Sequence, residues 1–332
     1  MNRKIVPAAL SVLLLAACGN GATTAGNATT PSDDAPLDLC VNSTCGERVV
    51  LMDLPSAENL TFSPDGRLFV SANGGVFEIK KDAAGAFTAA PIAEGCPGGL
   101  GLAIRGNILY AVCSGMHIYA GELSATPQLK EIFALTGMCI PNGMALGADS
   151  NLYVVDEPLS LCVPDPKIVR LTVDPANPLH VTQQETWLQG SPAGLLYLGL
   201  DNTLRFPNGL QSRGDAFFGT DGGSIYRVDL LPDGSAGEVV PLYFEPTPHD
   251  DLGIAGDNLL VADFAGVRIL LLSQAGEPLQ QTDRLLFSSP SSARLGRPPM
   301  FKPDEIVVTE TGVLGDNNLP LDHLSLFRRK AP

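Results

Sequence analysis

One residue pattern recurs along this 332-residue chain. A polar residue precedes an apolar pair, then come a turn, an alternating strand and another short strand. Residues 58–79 read ENLTFSPDGRLFVSANGGVFEI, with Pro64-Asp65-Gly66 as the turn, and 98–119 read GGLGLAIRGNILYAVCSGMHIY. Further copies begin at 141 (PNGMALGADSNLYVVDEP), 207 (PNGLQSRGDAFFGTDGGSIYRV) and 249 (HDDLGIAGDNLLVADFAGVRIL). A weaker sixth runs from about Arg297 through PPMFKPDEIVVTETGV to the terminal LSLFRR. A period of about 40–50 residues made of four short strands marks a propeller blade, a unit that buries its apolar face only against its neighbours. Period-two stretches such as Leu68-Phe69-Val70 and Leu259-Leu260-Val261 suit strands, and 35 glycines with 27 prolines break helices and supply turns. The expected fold is therefore all-β, a six-bladed β-propeller forming one domain over 45–332. Two stacked β-sandwiches would share the strand content but not the same context before each first strand. The excess between 171 and 207, which holds the only tryptophan, is read as an insertion, and the third copy carries another between its later strands.

The N-terminus carries an address. Arg3 and Lys4 precede the apolar run Ile5–Ala17, too short for a permanent membrane span and suited to an export signal. Leu15-Ala16-Ala17-Cys18 has the form of a bacterial lipobox, with Cys18 acylated and becoming the mature N-terminus. An ordinary signal peptide with a chance cysteine is the plainer reading. Gly19 in place of Asp points to the outer membrane, on its periplasmic or outer face. Removing 1–17 takes the net charge from −15 to −17. Residues 18–44 begin small and polar and are read as a flexible tether.

Charge narrows the partners. Lys and Arg total 21 against 36 Asp and Glu, the wrong balance for binding nucleic acid. Of seven cysteines, six remain once Cys18 is assigned to lipid. An even number in an exported chain suggests disulfides. Proximity favours Cys40–Cys45, Cys96–Cys113 and Cys139–Cys162, although fifteen pairings are open.

The first strand of a blade lines the channel, so residues leading into it point toward the axis. Those places hold Glu58, Asn142, Asn208 and Asp250, with Asp251 beside the last. Each Asn lies in a Pro-Asn-Gly triplet, which suits a tight turn into the strand and, taken singly, is ordinary turn chemistry. Four oxygen-bearing residues in register are a different matter. Carboxylate and carboxamide oxygens without sulfur suit a hard divalent cation, Ca2+ first, with Mg2+, Mn2+ or Zn2+ as alternatives.

Residues 58–79, 141–155, 207–228 and 249–270 resemble the six-bladed propellers of the gluconolactonase/regucalcin (senescence marker protein) family and the related paraoxonases. The resemblance spans about 45–330. It implies one metal ion held by Glu58, Asn142, Asn208 and Asp250, with Asp251 at the metal as in paraoxonases, and the segment IVVTETG resembles the last-blade strand. Two departures stand out: Gly98-Gly99-Leu100 replaces the paraoxonase histidine of blade two, and the arginine that some gluconolactonases use on substrate has no clear counterpart before Asn142.

The resemblance implies metal-assisted hydrolysis of a lactone or related ester, with the cation on the carbonyl oxygen and a base activating water. Asp250 is the first candidate base and His249 the second, with a rim or loop histidine ranked ahead of catalysis for His249 because neighbouring strand residues face opposite ways. His117, His180 and His323 are read as structural or exposed. The alternative is a non-catalytic lipoprotein propeller that offers its loops to a protein or glycan and uses the ion as structural glue.

Overall fold

The computed structural model describes residues 38–93, 95–96, 98–113, 115–158, 165–191, 202–312 and 322–331. Among these, every regular element is a β-strand, and the strands form six four-stranded antiparallel sheets. The expected six-bladed β-propeller is the observed fold. Blade 1 contains β2 (Leu60–Phe62), β3 (Leu68–Ala72), β4 (Gly75–Lys81) and β5 (Phe87–Pro91). Blade 2 contains β6 (Gly99–Arg105), β7 (Ile108–Cys113), β8 (His117–Glu122) and β9 (Lys130–Ala134), and blade 3 contains β10 (Ile140–Leu146), β11 (Leu152–Glu157), β12 (Lys167–Val173) and β13 (Val181–Gln189). Blade 4 follows with β14 (Pro207–Arg213), β15 (Ala216–Asp221), β16 (Ser224–Asp229) and β17 (Val240–Phe244), and blade 5 with β18 (Leu252–Ala255), β19 (Asn258–Asp263), β20 (Arg268–Ser273) and β21 (Pro278–Gln281).

Blade 6 is assembled from both ends of the chain. Its strands β22 (Pro290–Leu295), β23 (Ile306–Glu310) and β24 (His323–Arg329) are completed by β1 (Gly46–Asp53), which runs antiparallel to β24 from Gly46↔Arg329 to Asp53↔His323. The innermost strands neighbour one another in blade order, and β22 returns to β2.

An apolar core fills each of the six spaces between adjacent blades. Val70 and Leu60 of blade 1 meet Val307 and Leu324 of blade 6, for example, and Tyr153 of blade 3 meets Phe217 of blade 4. Strands β3, β7, β11 and β19 are wholly or almost wholly buried because each is sandwiched by two neighbouring blades. Truncating one such side chain to alanine costs about 2–5 kcal/mol.

Two expectations change here. Residues 171–207 are not chiefly an insertion: β13 is the outer strand of blade 3, and its Trp187 packs edge-on against Tyr153 and Phe217. Residues 38–44, placed with the tether on composition, include Leu39, Cys40 and Val41, which are buried in the core between blades 5 and 6. Those three apolar positions gain more by burial than a tether gains by staying loose. The signal, Cys18 and the rest of the tether lie outside the described residues.

Cys40–Cys45 and Cys96–Cys113 are disulfides. Cys139 is also disulfide-bonded, and Cys162 lies outside the described residues. Cys113 ends the second strand of blade 2, where blades 3 to 6 carry Asp156, Asp221, Asp263 and Glu310. Three of these carboxylates hold backbone N–H groups of the segment leading into their own blade: Asp156 takes Cys139 (2.6 Å) and Ile140 (3.0 Å), Asp221 takes Arg205 and Phe206, and Glu310 takes Ser288 (2.5 Å). In blade 2 the Cys96–Cys113 bond makes that tie covalently.

Candidate metal centre

The chain reaches the axis through a repeated irregularity. In β10 the register passes from Pro141↔Asp156 to Met144↔Val154, so Asn142 and Gly143 together oppose Val155. Strand β14 does the same with Asn208 and Gly209, and β6 with Leu100 and Gly101. In blade 1, Glu58 donates its N–H to the Ser71 carbonyl and Asn59 accepts from the Ser71 N–H, and Asp250 and Asp251 share Ala262 likewise. These are β-bulges, which re-aim the side chains of the bulged strand. The Pro-Asn-Gly triplets are therefore not turns. Their glycines serve close approach: a Cβ on Gly143 would fall on the Asn208 carbonyl oxygen and lie 2.7 Å from Leu210 N, and one on Gly209 would lie 2.5 Å from Asp251 Oδ1.

The six bulges set Glu58, Leu100, Asn142, Asn208, Asp250 and Ser291 in equivalent places. Asp250 is buried and accepts the Ser291 hydroxyl on Oδ2 at 2.5 Å. Burial, then the charge of Glu58, pushes the Asp250 carboxyl well above the usual carboxylate range, with Ser291 acting against them and Glu157 and Asp251 adding to them. Glu58 is pushed up to about 7 by burial, against the hydrogen bond from Ser291, with the charges of Glu157 and Asp251 adding to the rise. Among the described residues no Lys, Arg or His offsets either charge. Ionising one opposes ionising the other, and a cation from outside would favour the charged form of both.

Glu157 is a third buried carboxylate that the repeat pattern does not mark. It ends β11 and accepts the Nδ2 of Asn142 on Oε2 (2.9 Å) and the Nδ2 of Asn208 on Oε1 (3.4 Å). Burial pushes it up to about 7, against the Asn142 hydrogen bond, with Asp156 adding to the rise. The adjacent acids Asp156-Glu157 at a strand end are the sequence signal that could have drawn attention to it.

Two expected site residues are placed differently. Asp251 is the counter-ion of Arg294 of blade 6, whose Nη2 lies 2.7 Å from Oδ2. The same oxygen accepts Asn59 Nδ2 (3.0 Å) and Ser292 Oγ (2.8 Å). Its Oδ1 is buried and accepts no hydrogen bond from the described residues. Asp251 thus differs from Glu58 and Asp250 in having its charge matched by a guanidinium, while its Oδ1 stays open. His249 has a fully buried side chain with Nδ1 3.5 Å from Asp263 Oδ1, and no hydrogen bond or ion pair links it to Asp250. Asp263 also pairs with Arg268 at 2.8 Å, and neither ring nitrogen of His249 has a hydrogen-bond partner among the described residues. His323 is buried beside Asp53 (3.1 Å), whereas His117 is half-buried beside Glu131 and His180 is exposed beside Asp174.

The donor set fits a hard cation. Glu58 and Asp250 supply charge, and Asn142 and Asn208 have their amide nitrogens on Glu157 and carbonyl oxygens that accept no hydrogen bond from the described residues. Among the described residues no three or more His, Cys, Asp and Glu close to metal-holding distance. A shell of two carboxylates and two carboxamides lies below that number, and Glu157 stands behind the amides. The Asn59–Asp251–Arg294 cluster ties the consecutive blades 5, 6 and 1 together. At the far ends of the innermost strands a cavity of about 300 Å³ opens, lined by Phe62, Ile104, Met144, Leu146, Gln211 and Arg297 among others.

No protein-family model matches the chain, and no curated protein sequence does. Solved structures do match. A luciferin-regenerating enzyme superposes with a TM-score of 0.62 at 15% identity, covering 86% of this chain and 95% of its own. A protein named a gluconolactonase gives 0.62 at 15%, covering 87% and 94%, and a calcium-binding protein, regucalcin, from Agrobacterium tumefaciens gives 0.62 at 14%, covering 88% and 95%. The likeness is one of fold. At such identity it extends to the blade count and the path of the chain, in agreement with the resemblance drawn from the repeats, and chemistry has to be argued from this chain's own residues.

Proposed function

We propose that the protein is a cation-dependent hydrolase of lactones or related esters, with Ca2+ the first choice of metal. One observation carries the reading: Glu58 and Asp250 are brought together at the axis, linked by Ser291 and offset by no basic side chain, beside two oriented amides. Glu58, Asp250, Asn142 and Asn208 would hold the ion. When bound, it supplies positive charge where an ester carbonyl oxygen becomes an oxyanion. Ser291 holds Asp250 by Oδ2, which leaves Oδ1 as the oxygen able to take a proton from water. Water then adds to the acyl carbon, the acyl–oxygen bond breaks, and the proton passes from Asp250 to the leaving alkoxide. His249 is given no part in this, since no hydrogen bond or ion pair links it to Asp250. The calcium-binding and gluconolactonase names of two structural neighbours favour the same chemistry. The lipobox ending at Cys18 favours an anchored, exported enzyme meeting its substrate outside the cytoplasm.

The test is a panel of lactones and aryl esters on the full-length protein in detergent, with Ca2+, with a chelator, and with Asp250→Asn. Turnover that needs Ca2+ and is lost in the variant is expected. Turnover indifferent to both treatments defeats the metal mechanism, and tight Ca2+ binding with no turnover across the panel leaves the ion a structural part of a binding protein.

A further inference from the structure

We propose that Glu157 is a positioning residue that orients Asn142 and Asn208 so that both present a carbonyl oxygen, and not an N–H, to the cation. The inference rests on the cation reading above and deepens it. An asparagine amide has two nearly isosteric ends, one a donor pair and one an acceptor, and only the acceptor end can bind a metal. A side chain that is acceptor-only, placed behind the amide, decides which end turns inward. Glu157 does this for two blades at once: Oε2 receives Asn142 Nδ2 of its own blade at 2.9 Å, and Oε1 receives Asn208 Nδ2 of blade 4 at 3.4 Å.

Three further observations agree. Glu157 is buried and has no basic partner among the described residues, so no ion pair of its own accounts for a carboxylate there. Neither Asn142 Oδ1 nor Asn208 Oδ1 accepts a hydrogen bond from the described residues, which leaves both turned from Glu157 and unclaimed. Among the described residues Glu157 also forms no metal-holding group of three with Glu58 and Asp250. Supporting groups of this kind commonly govern metal affinity by 10–100-fold.

The experiment is calorimetric titration of Ca2+ into the metal-stripped full-length protein in detergent, with thermal melts of the same samples. Glu157→Gln keeps the size but offers one acceptor and one donor, so one of the two asparagines must reverse. The expected result is a Kd raised about 10–100-fold, with a metal-free melting temperature equal to or above that of the native protein because a buried charge has gone. In the double variant Glu157→Gln with Asn142→Asp, residue 142 has oxygen at both ends and needs no orienting, so most of the lost affinity should return. An unchanged Kd in the single variant overturns the proposal, and so does failure of the double variant to regain affinity. If the native protein binds no Ca2+, the metal-centre reading itself falls. Native binding that Asp250→Asn abolishes and Glu157→Gln leaves intact defeats the role of Glu157 alone.

Discussion

Asn59 of blade 1 donates its side-chain amide to Asp251 of blade 5 at 3.0 Å, although blade 6 stands between them in the ring. Arg294 of blade 6 completes the contact, with Nη1 on the Leu252 and Ala293 carbonyls and Nη2 on Asp251. Three consecutive blades are thus fastened together by charge and hydrogen bonds. Arg294 supplies in covalent form the positive charge that Glu58 and Asp250 lack.

Arg294→Met should therefore be severe. It leaves Asp251 buried without its counter-ion, a loss of about 3–5 kcal/mol, read as a fall in the urea midpoint at unchanged slope. Adding Asp251→Asn should restore most of the stability. A single variant as stable as the native protein would mean that the ion pair contributes nothing.

Gly143→Ala and Gly209→Ala test the close approach of the inner strands. Each new methyl meets the next blade, at the Asn208 carbonyl or at Asp251. Overpacking of this kind costs about 1–3 kcal/mol, and because the bulge aims Asn142 or Asn208, Ca2+ affinity should fall with it. Gly106→Ala is the control: nothing lies within 4 Å of a Cβ there, although its positive φ adds some strain. Equal melting temperatures for Gly143→Ala and the native protein would contradict the geometry.

Stability should depend on pH in a direction that the cation reverses. Glu58 and Glu157 both rise from 4.5 to about 7 on folding without metal. The folded state then binds protons more tightly than the unfolded chain, so this contribution is fully present below pH 4.5 and is lost as pH climbs toward 7. Melts between pH 4.5 and 8 in chelator should show a decline that is smaller in Glu58→Gln. Saturating Ca2+ should raise the melting temperature most at the alkaline end, where the carboxylates are charged. A native-minus-variant difference that is flat across pH would refute the shift at Glu58.

The proposed lipid anchor depends on one side chain. Cys18→Ser removes the acyl acceptor, and the protein should move from the detergent phase to the aqueous phase on partition of cell extracts. Unchanged partition would exclude lipid at Cys18 as the anchor.

The blades were legible because their inner strands are apolar and repeat at a steady interval. Outer strands were not: β13 is exposed along one face, so Thr182, Gln183 and Glu185 hide a strand within what reads as an insertion. The pairing of β1 with β24 was equally hidden, since residues 46 and 329 share no local signal. At the centre, Glu58, Asn142, Asn208 and Asp250 could be found because bulges recur in register. Glu157 could not, because blades 4, 5 and 6 place Gly222, Phe264 and Thr311 at its position. The triplet glycines were seen and misread. Their role, room for a neighbouring strand, exists only once the ring has closed.

The joining of Gly46–Asp53 to His323–Arg329 has a consequence in time. Among the described strands β1 is made first and its partner β24 last, so while the other blades are made β1 has an unsatisfied edge. A nascent chain halted before residue 323 would leave β1 open to another chain, and one halted between 310 and 323 would leave β23 open as well, the arrangement from which edge-to-edge aggregation starts. Premature termination should thus yield sticky fragments rather than smaller propellers, and the last few residues decide whether the ring is shut.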